Sequence, residues 1–216
     1  MKNTLIFSGL VIASLVAAAA ISPIVVAQVI KPFLNLDQVL VRRNPSGLDS
    51  IVKTDGVIPQ NGISNGQPIA FGYALLTSAN IADLSKGIFV STSHRGVLDS
   101  ATQNGNANNP VFHNHFITIK NPQGTGYNCG TGALAAVDKV TFASPGQIRI
   151  QTTDALQARV PNTFSGPAFG GGTVTASPGN NVEFAFSFEL RSAAQGSAVC
   201  VFLIDELDKE SGLIVR

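Results

Sequence analysis

Val182–Leu190 alternates strictly: Val182, Phe184, Phe186, Phe188 and Leu190 fall on one side of an extended chain, Glu183, Ala185, Ser187 and Glu189 on the other. Successive side chains of a strand point to opposite faces, so this period of two specifies a half-buried antiparallel strand with an aromatic core face. The same period recurs along Val39–Arg42, Ser50–Thr54, Ile69–Thr77, Ile88–His94, Val111–Lys120, Val137–Ala143, Gln147–Thr152, Leu156–Val160, Thr173–Ala176 and Ala198–Ile204. Turn-forming residues separate the runs, among them Asn44-Pro45-Ser46-Gly47, Asn121-Pro122, Pro145-Gly146 and Pro178-Gly179-Asn180. Only Ala79–Leu84 and Asp99–Gln103 carry a helical signal, about one turn each. Many short strands at this spacing predict an all-β chain, a single-domain antiparallel β-sandwich of jelly-roll or immunoglobulin-like type with about 9–11 strands. Leu213-Ile214-Val215 is an additional edge strand, expected to pair within the chain.

The first 27 residues do not belong to that pattern. Lys2 is followed by an apolar run from Thr4 to Ala20, then Pro23 and the small-residue end Val25-Val26-Ala27. This order of basic start, apolar run and small residues is that of a secretory signal, with cleavage expected after Ala27 and a single domain over 28–216. The alternative is retention as a membrane anchor, since Thr4–Ala27 is long enough to cross a bilayer. Membrane contact is expected only through such a leader. Export makes the two cysteines meaningful: in an oxidising compartment Cys129 and Cys200 are expected to form a disulfide. The loop of about 70 residues that it closes corresponds to roughly 4 kcal/mol of stabilisation in the chain-entropy treatment.

Lys2 is the only charged residue of the leader, so 13 basic and 13 acidic residues remain after it. A neutral chain without a basic stripe lacks the phosphate-neutralising charge on which nucleic-acid affinity rests, and nucleic acid is excluded as a partner. No Trp and only two Tyr argue against a carbohydrate-binding face, because sugars stack on aromatic platforms. The 13 Phe fall mostly on apparent core faces.

The chain has three histidines, His94, His113 and His115. Val111, His113, His115, Ile117 and Ile119 share one face of a predicted strand, and His94 ends the strand before it on the face of Ile88, Val90 and Thr92. Antiparallel pairing of these strands brings His94 beside His113 and His115. Three imidazole nitrogens suit Zn or Cu and leave one coordination position open. Asp99, in the Gly- and Asn-rich connection 95–110, is the local carboxylate able to orient a water or an imidazole. The reading that needs no ligand is three histidines hydrogen-bonded within a polar part of the core. The placement resembles the metal strand of alpha-type carbonic anhydrases, which also use His-x-His and a third His. The resemblance covers three residues, the third His here precedes the pair, and the activity is not carried over.

Other motifs carry no chemistry. Gly124-Thr125-Gly126 and Gly130-Thr131-Gly132 lack the Lys and helix of a phosphate loop and read as turns around a disulfide. Ser91-Thr92-Ser93-His94 has neither the elbow nor the orienting acid of a triad. Asp205–Glu210 lacks the spacing of a calcium loop. No reaction is therefore assigned from the sequence.

The leader, the charge-poor β-rich body and the Phe112-His113-Asn114-His115-Phe116 strand resemble small exported archaeal proteins of unknown function. That resemblance implies an extracytoplasmic or cell-surface location and no activity. Two functions are expected from these features: an exported protein holding a divalent metal through its histidines, or a structural or adhesive cell-surface protein that assembles through edge strands.

Overall fold

A computed structural model describes residues 31–60, 63–64, 67–83, 85–94, 112–150, 153–169, 171–176 and 181–216. Residues 31–216 form one compact unit. The leader, the Asp99–Gln103 turn and Asp99 itself lie outside the described residues.

The described strands are β1 (Leu36–Asn44), β2 (Gly47–Thr54), β3 (Ile63–Ser64), β4 (Gln67–Pro68), β5 (Phe71–Thr77), β6 (Ile88–Ser93), β7 (His113–Lys120), β8 (Gln123–Gly124), β9 (Tyr127–Asn128), β10 (Ala135–Val140), β11 (Gln147–Ile150), β12 (Ala155–Pro161), β13 (Phe164–Pro167), β14 (Thr173–Ala176), β15 (Val182–Ser192), β16 (Gln195–Gly196), β17 (Val199–Leu207) and β18 (Leu213–Val215). The chain is all-β, as the alternation predicts. The only described helical elements are a 3-10 turn at Pro32–Leu34 and one α-turn, α1 (Ser78–Ala82). The Asn80 carboxamide oxygen accepts hydrogen bonds from the Thr77 backbone N–H at 3.0 Å and the Thr77 hydroxyl at 2.8 Å, which caps this turn.

The arrangement differs from a pair of open sheets. Six strands close into a barrel in the order β10-β17-β15-β5-β6-β7, and five form a separate sheet in the order β11-β12-β2-β1-β18. Nor is the pairing wholly antiparallel: β18 runs parallel to β1, with Val39 opposite Leu213 and Val41 opposite Val215. Alternation reports which side chains are buried; it does not report whether a sheet closes on itself, because both arrangements bury every second residue.

Closure creates two cores. Ala74, Ile88, Val90, Ile117, Phe186, Phe188 and Val201 point into the barrel. Val39, Val41, Val52 and Leu156 of the sheet pack against the outer barrel wall at Phe71, Tyr73, Phe89 and Phe116. β15 is consequently buried on both faces, whereas the sequence suggested a solvated second face: Ala185, Ser187 and Glu189 are buried under the chain that enters β1. The Ser187 hydroxyl donates to the Leu34 carbonyl at 2.5 Å, and the Tyr73 hydroxyl donates to the Phe33 carbonyl at 2.6 Å. Burial pushes the Tyr73 phenol far above its usual range, so it is a permanent donor.

Glu189 completes this seam through ion pairs with Lys31 and Arg191. Burial alone would raise its carboxyl pKa; the hydrogen bonds from Lys31 and Arg191 outweigh that and hold it below the usual Glu range. A depressed folded pKa stabilises the native state above the unfolded pKa of about 4.5, and the contribution is lost as pH falls through the folded value. Glu189→Gln is expected to cost about 1–2 kcal/mol at pH 7. The difference from the parent should shrink below about pH 4, as urea titrations at several pH values will show; a difference independent of pH would mean that the ion pairs contribute nothing.

Cys129 and Cys200 form the expected disulfide, with Cα atoms 5.7 Å apart and a sequence separation of 71. The bond joins the turn after β9 to β17. Gly130 sits in that turn with φ +83°, a conformation that a side chain disfavours. The acidic run after Ile204 is structural too: Asp205 accepts the Leu36 backbone N–H at 2.7 Å, and Asp208 accepts Ser211 and Glu210 N–H groups in the turn that leads into β18.

Candidate metal centre at the barrel mouth

β6 and β7 pair antiparallel with Thr92 opposite His113 and Val90 opposite His115. This is the register that the sequence required for the three histidines to meet. Ile88, Val90 and Thr92 face the barrel interior, and His94 continues that face one residue beyond β6. His113, His115 and Ile117 do the same on β7. The rings therefore collect at the end of the barrel formed by the end of β6 and the start of β7.

One ring nitrogen from each of His94, His113 and His115 lies within 4.8 Å of the others, and all three residues are buried. His113 Nε2 is 3.2 Å from His94 Nε2. Two nitrogens bound to one tetrahedral zinc at about 2.0–2.1 Å stand about 3.3–3.4 Å apart, so the separation of this pair is close to that of two ligands on one ion. His115 Nδ1 lies 2.8 Å from the Thr141 carbonyl. A carbonyl only accepts, so the proton is on Nδ1 and the lone pair of His115 is on Nε2. Metal-binding histidines are commonly oriented by such a bond, which fixes the tautomer and strengthens the ligand. The ring centroids are 4.6 Å apart for His113 and His115, 4.9 Å for His94 and His113, and 6.0 Å for His94 and His115.

The backbone behind the histidines is held rigidly. Asn114, on the opposite face of β7, is fully buried: its Oδ1 accepts the Ser91 hydroxyl at 2.9 Å, and its Nδ2 donates to the Pro145 and Gln147 carbonyls at 3.0 and 3.1 Å. The Ser144 hydroxyl oxygen accepts the Asn114 backbone N–H at 3.0 Å. Ser91, weighed in the sequence as a hydroxyl near a histidine, thus serves to lock β6 to β7. Thr92 also turns to structure, its hydroxyl donating to the Phe71 carbonyl at 2.7 Å.

His94 and His115 border a cavity of about 360 Å³ inside the barrel. His94, His115 and Thr92 form one wall; Val90, Ile117, Val137, Val140, Phe188 and Leu190 form the rest, and Phe169, Arg191, Ser192 and Val199 lie at its rim. Phe169 and Val199 are about half exposed, so the cavity reaches the surface there. Ala70, just before β5, adds a small side chain to the lining. A Cβ on Gly72 would lie 2.4 Å from the Ser91 carbonyl oxygen and 2.9 Å from the Phe188 ring. Glycine is required here by close approach of the next strand and of Phe188.

Sequence reasoning found the three histidines but not the Thr141 carbonyl or the cavity. Thr141 acts through its backbone, which leaves no mark on a residue pattern; the cavity liners looked like ordinary core faces. Asp99, expected to orient a water or a ring, lies outside the described residues. Comparison with models of known protein families, with curated protein sequences and with solved structures finds no match to this chain.

Proposed function

We propose that this is an exported protein that binds one divalent transition metal, Zn²⁺ or Cu²⁺, through His94, His113 and His115, with a fourth coordination position directed toward the barrel cavity. The observation that carries the reading is the convergence of three buried ring nitrogens within 4.8 Å, one of them on a ring oriented by a backbone carbonyl. Neither a thiolate nor a Met thioether is available to make a blue-copper centre: both cysteines are in the disulfide and the single Met is Met1. The disulfide and the leader pattern support a place outside the cytoplasm, as does the resemblance to exported archaeal proteins.

Metal analysis of the protein purified without a histidine tag tests this reading. The parent is expected to carry, or to take up, about one equivalent of Zn or Cu, and the His113→Ala, His115→Ala double variant none. His115→Ala alone is expected to weaken binding at least about 100-fold, more than the loss of an outer partner of a ligand costs. A parent that neither contains metal nor takes it up overturns the proposal and leaves the histidines as core hydrogen-bonding groups.

Self-assembly at the cell surface is a second reading, favoured by the five-stranded sheet, whose order ends in β11 on one side and β18 on the other. Light scattering over a concentration series separates the two: assembly without metal supports the second, a metal-loaded monomer the first.

A further inference from the structure

We infer that the barrel cavity is the binding site for a small apolar carboxylate, whose chain fills the cavity and whose carboxylate oxygen takes the fourth position on the metal. The inference rests on the metal reading above and adds the class of ligand.

Two observations support it. The first is charge. Metal-bound histidines are neutral, so a divalent ion on three imidazoles keeps its full double charge. No carboxylate lines the cavity among the described residues. An uncompensated charge beside an apolar wall is costly, and an anionic fourth ligand relieves that cost. Arg191, at the rim, does not compete for the anion: its guanidinium pairs with Glu189 at 2.9 Å and covers the Phe202 ring at 4.4 Å.

The second is shape and lining. A volume of about 360 Å³ falls within the range of about 300–1,000 Å³ typical of small-molecule sites. Beyond the histidines, Thr92 and the exposed Arg191 and Ser192, the lining is aliphatic or aromatic, supplied mainly by β6, β7, β10, β15 and β17. Hydroxide would satisfy the charge but would leave this space unused. A chain of several methylenes uses both. The exposed Phe169 and Val199 place apolar surface at the entrance through which such a chain would pass.

Cobalt(II) in place of zinc makes the site visible, because its absorption bands between about 500 and 650 nm report coordination. The full-length protein loaded with Co²⁺ is titrated with acetate, butanoate, hexanoate and octanoate. Saturable changes in the bands are expected, with affinity rising about fourfold per added methylene until the cavity is full. Metal-free protein should bind octanoate at least tenfold more weakly. Val137→Phe and Leu190→Phe, each filling the cavity from a wall position that is not a candidate ligand, should keep the cobalt bands and lose the preference for longer chains. Cobalt bands that octanoate perturbs no more strongly than acetate overturn the carboxylate inference and leave the metal site standing. Octanoate binding that is unaffected by metal also overturns it, since the head group would then not be on the ion. Failure to take up cobalt overturns the metal reading, and the inference falls with it.

Discussion

Replacing both Cys129 and Cys200 by Ala is expected to destabilise the protein by about 4 kcal/mol, the value for opening a loop whose ends are 71 apart in sequence. At about 2–4 °C per kcal/mol for a domain of this size, the melting temperature should fall by about 8–16 °C. The effect is large because of what the bond joins. Cys200 lies near the start of β17, where β10 and β17 share only two paired positions, Ala135 with Val201 and Ala136 with Cys200. This is the shortest ladder in the barrel, and the cystine is buried against Ala136 beside it. Calorimetry of the double variant and of reduced parent protein should agree. A fall of under about 3 °C in both would mean that the β9 turn holds β17 in place without the covalent link.

Phe71→Ala is expected to cost about 3–5 kcal/mol, the range for removing a fully buried aromatic ring. Phe71 is 0% exposed and stands where three parts of the molecule meet. Its ring makes edge contacts with Phe33 at 4.9 Å, Phe112 at 5.4 Å and Tyr73 at 6.2 Å. Phe33 belongs to the turn before β1, Tyr73 to the barrel wall, and Phe112 immediately precedes His113. The variant should therefore weaken metal binding as well as the fold, although Phe71 is not itself a candidate ligand. Phe71→Leu, which keeps most of the volume, should recover more than half of the stability and most of the affinity. Chemical denaturation paired with a zinc titration will test this; a loss of stability with unchanged affinity would show that the position of His113 does not depend on Phe112.

The candidate site depends on β-structure in a way that the sequence partly reveals. His113 and His115 share a face because side chains two apart in a strand must do so. His94 falls on the matching face of the preceding strand by the same count from Ile88. Once β6 and β7 pair antiparallel, the three rings have to meet, and the register places Val90 opposite His115. Each step needed only spacing and the assumption of pairing between neighbours in sequence. The disulfide was legible for another reason: two cysteines, in a sequence whose start reads as a leader, allow one pairing. The turn at Asn44–Gly47 was equally plain, and there the Asn44 carboxamide oxygen accepts the Ser46 N–H at 3.0 Å.

Barrel closure was not legible, because it depends on strands far apart in sequence. β5 pairs with β15, and β17 with β10; no local pattern marks either choice. Val182–Leu190 looked half-solvated because Glu183 and Glu189 sit on its second face, yet Glu189 is buried against Lys31, 158 residues away. A charge on a strand face normally signals water; here a distant partner replaces it. The orientation of His115 by Thr141 and the small side chain of Ala70 in the cavity lining became meaningful only when the barrel brought them to one end.

The sequence alone determined a β-protein with one disulfide and three histidines on adjoining strand faces, since periodicity, composition and cysteine parity are local or countable properties. Tertiary structure alone decided that the sheet closes, that the histidines stand at the mouth of a cavity, and that a backbone carbonyl sets the tautomer of one of them. Those are properties of which distant strands meet, and that is settled by burying two apolar surfaces at once, one inside the barrel and one beneath the second sheet.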